Sequence, residues 1–484
     1  MKRPQYFIAI LSLTLLLSGC EVAEETLEIS EESVTIAYAE PITDYSPFSY
    51  SSKDRKYLAN IYESLVRYDN SFNTDTALAV AWGRINDTTW EFRLREGVVF
   101  HDGSSFDAED VVYSLDLARS NLGSGSELES LLSGIESVVA TEDYRIQIST
   151  LEPDPLLLSR LVNVYMVPKD YDEFIVPNGT GAYLLSDFED QTLILDRFAY
   201  YWGDLPYFAE ARLMYEPSLL ARFEGILSSE IDVLANVPPQ NVMELIESGL
   251  KVVDYPSLES SFLILNDTGA FSDQSLRDAA WSALDVTYAD KLGGGYLVHT
   301  TQYAASGIMG YVSGWLPTGR ELIVLDERVE LTLDIPEGLS ALGDMIAEDL
   351  YLAGIDVEVN ALSLPDFEEK IYSGASDFYF FGWKYDLADV SEFFEAVVHS
   401  DGDFNGTNYS NESLDDMIEL AAQTLELSTR RELLESIART YFEEHVAYPL
   451  FESQVLYGVS PSVIWDVRLD GLILASEIRQ NVVE

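Results

Sequence analysis

Cysteine occurs once in 484 residues, at position 20, and histidine four times, at positions 101, 299, 399 and 445. A single cysteine excludes a disulfide framework and any cysteine-ligated zinc site. The four histidines fall in no metal-binding spacing, so a metal centre is not expected. Cations are scarce as well: 28 Lys+Arg, only 8 of them Lys, stand against 84 Asp+Glu, for a formal net charge of −56. Gripping nucleic acid through its phosphates needs clustered cations, which excludes that partner. No apolar run reaches the ~18–20 residues of a membrane-spanning helix. Neither a Gly-x-Ser-x-Gly elbow nor a His-Glu-x-x-His run is present. With so many acids some carboxylate pair is always at hand, so pairs alone do not argue for an exported hydrolase.

What is present is a chain able to build cores, with 47% hydrophobic and 12% aromatic residues. At roughly 100–200 residues per domain, its length allows two to four domains. Lys2 and Arg3 precede an apolar run from Phe7 to Leu17, interrupted only by Ser12 and Thr14. That run is too short to cross a bilayer and suits the core of a secretory signal. Ser18 and Gly19 followed by Cys20 resemble the bacterial lipobox, so residues 1–19 are expected to be a signal peptide and Cys20 the point of lipid attachment. Residues 20–33, with six glutamates, read as a solvated tether. The acidity is spread along the whole chain, which suits a hydrated surface in strong salt better than a funnel for cationic ligands. Salt near ~1 M would also shrink the Debye length to about 3 Å and cancel steering.

Strand and helix signals alternate, as in an α/β chain. Trp90, Phe92 and Leu94 alternate with charged residues, predicting a half-buried strand. The turn at Glu96-Gly97 leads to a second short strand at 98–100. Asp107 is placed to cap a helix whose buried face is Val111, Leu115 and Ala118. Further on, Leu414, Ile418, Ala421 and Leu425 predict one amphipathic helix. Thr429 with Glu432 offers a capping box to the next, with Leu433, Ile437 and Tyr441 on its buried face. Two apolar strands are expected at 261–266 and 449–456, and periodicity does not say whether they are neighbours.

The run from Trp90 to Ser114, WEFRLREGVVFHDGSSFDAEDVVYS, closely resembles the signature of the bacterial extracellular solute-binding proteins of the peptide/nickel family, which feed ABC importers. Residues 61–69, 138–169, 178–183, 275–280 and 382–386 resemble further blocks of that family in order. The resemblance implies an α/β, two-lobed periplasmic-binding-protein fold with mixed sheets, a hinge of two crossing strands and an extra subdomain in lobe I. By position, lobe I would be 34–265 plus 450–484, with the subdomain at about 46–175, and lobe II 267–448. The signature itself would be a folding element, with His101 and Asp102 a satisfied turn. The implied function is capture of di- or oligopeptides between closing lobes and delivery to a permease and ATPase, by a lipid-anchored monomer outside the cytoplasm, with no cofactor and no catalytic step. The family's amine-binding aspartate follows a Gly-Trp-x-x-Asp pattern. That pattern places it at Asp386, with Gly382, Trp383 and Tyr385 beside it and Glu40 and Thr180 as weaker contacts. Within the same architecture a nickel chelate, an oligosaccharide or haem is the alternative ligand.

Overall fold

In a computed structural model of the chain, the described residues are 30, 32–49, 51–120, 127–171, 174, 176–285, 287–292, 294–315 and 321–481. The expected signal peptide and Cys20 lie outside them, as does nearly all of the tether. Ser30 donates a backbone hydrogen bond to the Tyr207 carbonyl.

Two long strands, Lys251–Leu265 and Ala447–Val459, run antiparallel, from the pair Lys251 with Val459 to the pair Ile264 with Ala447. They contain the apolar segments picked out in the sequence, except that the first ends at Leu265 rather than Asn266. The first extends well back of Ser261 through a stretch broken by Lys251, Asp254, Ser257 and Glu259, which hydropathy passes over, and the second is longer by a few residues at each end. An 11-stranded mixed sheet is built on this pair. At one end Phe378–Lys384 pairs with Lys251–Leu265 and leads to Val329–Pro336 and Ile355–Leu362. At the other end Val233–Leu234 pairs with Ala447–Val459 and leads to Ser33–Tyr38 and Glu210–Tyr215.

The apolar residues separate accordingly. One core gathers Val34, Leu65, Phe92, Ile146, Leu213 and Trp465, and another gathers Phe262, Leu333, Ile346, Phe393 and Tyr441. The chain is therefore two-lobed. The lobes touch where Tyr68 and Phe72, in the hairpin segment from the first lobe, join the second core. Between the lobes the paired strands slip register from Pro256 to Ser260, and Leu258 is held at φ 59° although it is only 2% exposed. Proline offers no ladder donor and a bulge bends its strand, so this is the natural point of flexure.

The signature run forms the strand Thr89–Leu94 and the helix Ala108–Ser120. Asp107 Oδ1 accepts from Glu109 N and Asp110 Oδ2 accepts from Asp107 N, both at 2.8 Å, a reciprocal cap. Val111, Leu115 and Ala118 are fully buried as expected. The second short strand at 98–100 is not formed. Only Val99 bridges Ser105, because turns at Gly97 and Gly103 leave no length for a ladder. The helix Leu427–Glu443 is capped by Glu426, not Thr429: the carboxylate accepts from the hydroxyls of Ser428 and Thr429 and from their amides, which draws the pKa of Glu426 down to about 2. Leu434 takes the buried position expected of Leu433.

Candidate functional site

A cavity of about 310 Å³ lies between the lobes, against the register slip. The first lobe contributes Glu40, Arg55 and Lys56, and the hinge contributes Glu259. The loop after Phe378–Lys384 contributes Asp386, with Lys384 at the strand's end. Tyr68 Oη donates to the Asp386 carbonyl at 3.4 Å and so ties this loop to the opposite lobe. As many cations as carboxylates line the cavity, in a chain where acids outnumber cations threefold. The acidity of the surface is thus not carried into the cleft, and a zwitterion matches the lining better than a bare cation.

Asp386 is half-exposed and pairs with Lys384 at 3.1 Å. Such a pair contributes only ~0–1 kcal/mol, so exchanging Lys384 for another ammonium is inexpensive. Glu259 has no ion pair within 4.0 Å among the described residues. Burial pushes its carboxyl above the ordinary value, against the pull of Lys384. Gly382 makes room for it: a Cβ there would stand 3.0 Å from Glu259 Oε1. Glu40 is also pushed up by burial, but Lys56 at 3.1 Å and Lys53 at 3.5 Å hold it below its usual range.

Of the residues singled out in the sequence, Asp386, Glu40 and Tyr385 border this cavity and Gly382 supports it. Tyr385 does so without its side chain, which is wholly buried in the second core and donates its hydroxyl to the Tyr303 carbonyl. Trp383 does not line the cavity. Its ring packs on Phe381, Phe393 and Phe404, because it stands at the end of a strand covered by that aromatic cluster. Thr180 is fully buried in the first lobe, where its hydroxyl donates to Glu63 at 2.8 Å. His101 and Asp102 lock the signature turn onto the 178–181 turn. His101 Nε2 meets the Gly181 carbonyl at 3.0 Å, Nδ1 accepts from Gly179 N, and Asp102 Oδ2 accepts from Asn178. Burial keeps that imidazole neutral, with a pKa lowered to about 4. Glu259, Arg55 and Lys56 were missed in the sequence. A lone acid ahead of an apolar strand was the only available signal for Glu259.

Two lobes joined by paired crossing strands, with a ligand-sized cleft at the crossing, define a solute-binding protein. Comparison with known proteins makes the class specific. Residues 74–322, more than half the chain, match the family described as bacterial extracellular solute-binding proteins, family 5 Middle. The chain belongs to that family. It is 24% identical over 496 residues to the nickel-binding protein NikA of Staphylococcus aureus, covering 96% of each. It is 21% identical over 462 residues to the dipeptide-binding protein of Escherichia coli, covering 83% of this chain and 85% of the other. Its fold is similar to that of HbpA2 from Haemophilus parasuis, with a TM-score of 0.85 at 17% identity, covering 93% of this chain and 100% of that one.

Proposed function

We propose that this chain captures short peptides by their free amine and passes them to the permease and ATPase of an ABC importer. It acts as a monomer held outside the cytoplasm by lipid on Cys20. Lobe I comprises 34–265 and 450–484, lobe II comprises 267–448, and no chemical step occurs on the ligand. The observation that carries this reading is the meeting of two carboxylates, Asp386 and Glu259, with cations across the same inter-lobe cleft. A peptide's ammonium would displace Lys384 from Asp386 and gain strength as closure excludes water. The ligand stabilises whichever arrangement it binds better, and contacts to both lobes favour the closed one. A nickel chelate of a small zwitterion presents similar ends, and the nickel-binding relative makes it the second reading.

Titration calorimetry separates these readings. Free-amine dialanine should bind, and Asp386→Ala should weaken it at least ~10-fold, about 1.4 kcal/mol. N-acetylated dialanine should bind weakly to both proteins and lose little further. Equal losses for both peptides would reject the amine anchor. Binding of nickel with histidine, and of no peptide, would favour the chelate.

A further inference from the structure

A second cavity opens wholly on the first-lobe side, between the helix Ser52–Leu58 and the C-terminal segment 464–480. At about 940 Å³ it is roughly three times the size of the cleft. The two share a wall: Arg55, Tyr68, Val162, Arg468, Asp470 and Leu472 border both. The cleft alone stands at the bottom of the ~300–1,000 Å³ range of small-molecule sites, and the pair exceeds its top.

Arg55 stands at the neck between them. Its Nη1 donates to the Asn163 carbonyl at 2.9 Å and its guanidinium lies 4.6 Å over the Tyr165 ring. Among the described residues no carboxylate comes within 4.0 Å of it, although acids outnumber cations threefold. A guanidinium is a fork of five donors, and among the described residues only its bond to the Asn163 carbonyl uses that fork. The chamber wall beyond is stiff. Glu63 accepts from Tyr201 at 3.0 Å, from Trp202 at 2.8 Å and from Thr180 at 2.8 Å. Tyr165 and Trp465 also line the chamber, and their Oη and Nε1 atoms, shielded behind the wall, have no hydrogen-bond partner among the described residues. Native proteins rarely leave such groups unpaired.

We infer that the chamber is the second compartment of the binding site: it receives the C-terminal residues of a peptide whose amine end fills the cleft, so the protein prefers peptides longer than two residues. This rests on the peptide reading above. A chain threading the neck offers carbonyls to Arg55, and its later residues lie against Tyr201 and Trp202. A dipeptide ends at the neck and leaves the chamber to water.

The test is calorimetry on the full chain with free-terminus dialanine, tetra-alanine and hexa-alanine. The expected result is hexa-alanine binding at least ~10-fold tighter than dialanine, with tetra-alanine between. Ser476 and Leu474 line the chamber and not the cleft. Ser476→Trp should therefore bring hexa-alanine back to the affinity of dialanine and leave dialanine unchanged, and Leu474→Trp serves if the first variant folds poorly. Equal affinity for all three lengths in the unsubstituted protein overturns the inference while leaving the peptide reading intact. So does a length preference that survives the folded Trp variants. Binding of none of the three overturns both.

Discussion

Gly179 and Gly181 sit so close to the chain before them that a Cβ would lie 2.2 and 2.5 Å from the Ile61 carbonyl oxygen. Gly181 N donates to that oxygen at 2.9 Å, so the approach is part of the bonding. Gly179→Ala forces backbone apart and should cost about 1–3 kcal/mol, as overpacking does. Urea denaturation measures the loss, and an unchanged midpoint would contradict the packing described. The role of this turn as a structural staple could not be read from Gly-Thr-Gly, which also suits a turn that meets a ligand. The position of Asp386 beside the cleft was legible because the Gly-Trp-x-x-Asp pattern of the resembling family fixes its offset from Trp383. The direction of the Tyr385 side chain was not, because strand alternation stops at Lys384 and the ring follows the second core instead. Glu259 was illegible for another reason: it becomes a site residue only when Gly382 of a distant strand is laid beside it.

The loop that carries Asp386 is held from below by the helix Leu427–Glu443. Arg430 on that helix pairs with Asp389, and both are nearly inaccessible, at 2% and 3% exposure. Arg430 Nη2 also donates to Ser391 Oγ at 3.0 Å, and Asp389 Oδ1 accepts from Ser391 N at 2.9 Å. Removing one partner strands the other charge in the interior. Asp389→Ala should therefore cost about 3–5 kcal/mol in denaturation experiments, and the double variant Asp389→Leu/Arg430→Met distinctly less. If the double variant is no milder than the single one, the loss lies elsewhere than in the orphaned guanidinium. The helix was visible in its period of apolar residues, and so were the crossing strands in their hydrophobicity. The cap at Glu426 and the adjacency of the two strands were not. A glutamate can cap when its carboxylate folds back on the next amides. Strands whose nearest partners in sequence are Ile264 and Ala447 leave no local trace of their pairing.

Across the whole molecule the dominant quantity is a net charge of −56. Self-repulsion of that size opposes the compact state, and salt screens it. Raising NaCl from ~0.1 M to ~1 M shortens the Debye length from about 10 Å to about 3 Å. The thermal midpoint should rise over that range, and a midpoint that is flat or falling would contradict an account based on surface repulsion. The balanced charges of the cleft should make the effect of salt on peptide binding much smaller than its effect on stability.

On the proposed reading, binding moves the two lobes about the slip at 256–260, close to the Tyr68 Oη–Asp386 carbonyl contact between them. Inter-lobe distance tests this most directly. Labels at Asn86→Cys and Glu368→Cys, both exposed and in different lobes, can be placed uniquely once Cys20 is replaced by serine. Saturating free-amine peptide should shorten and narrow the label-to-label distance distribution. A distribution unchanged while calorimetry shows the peptide bound would contradict the closing clamp.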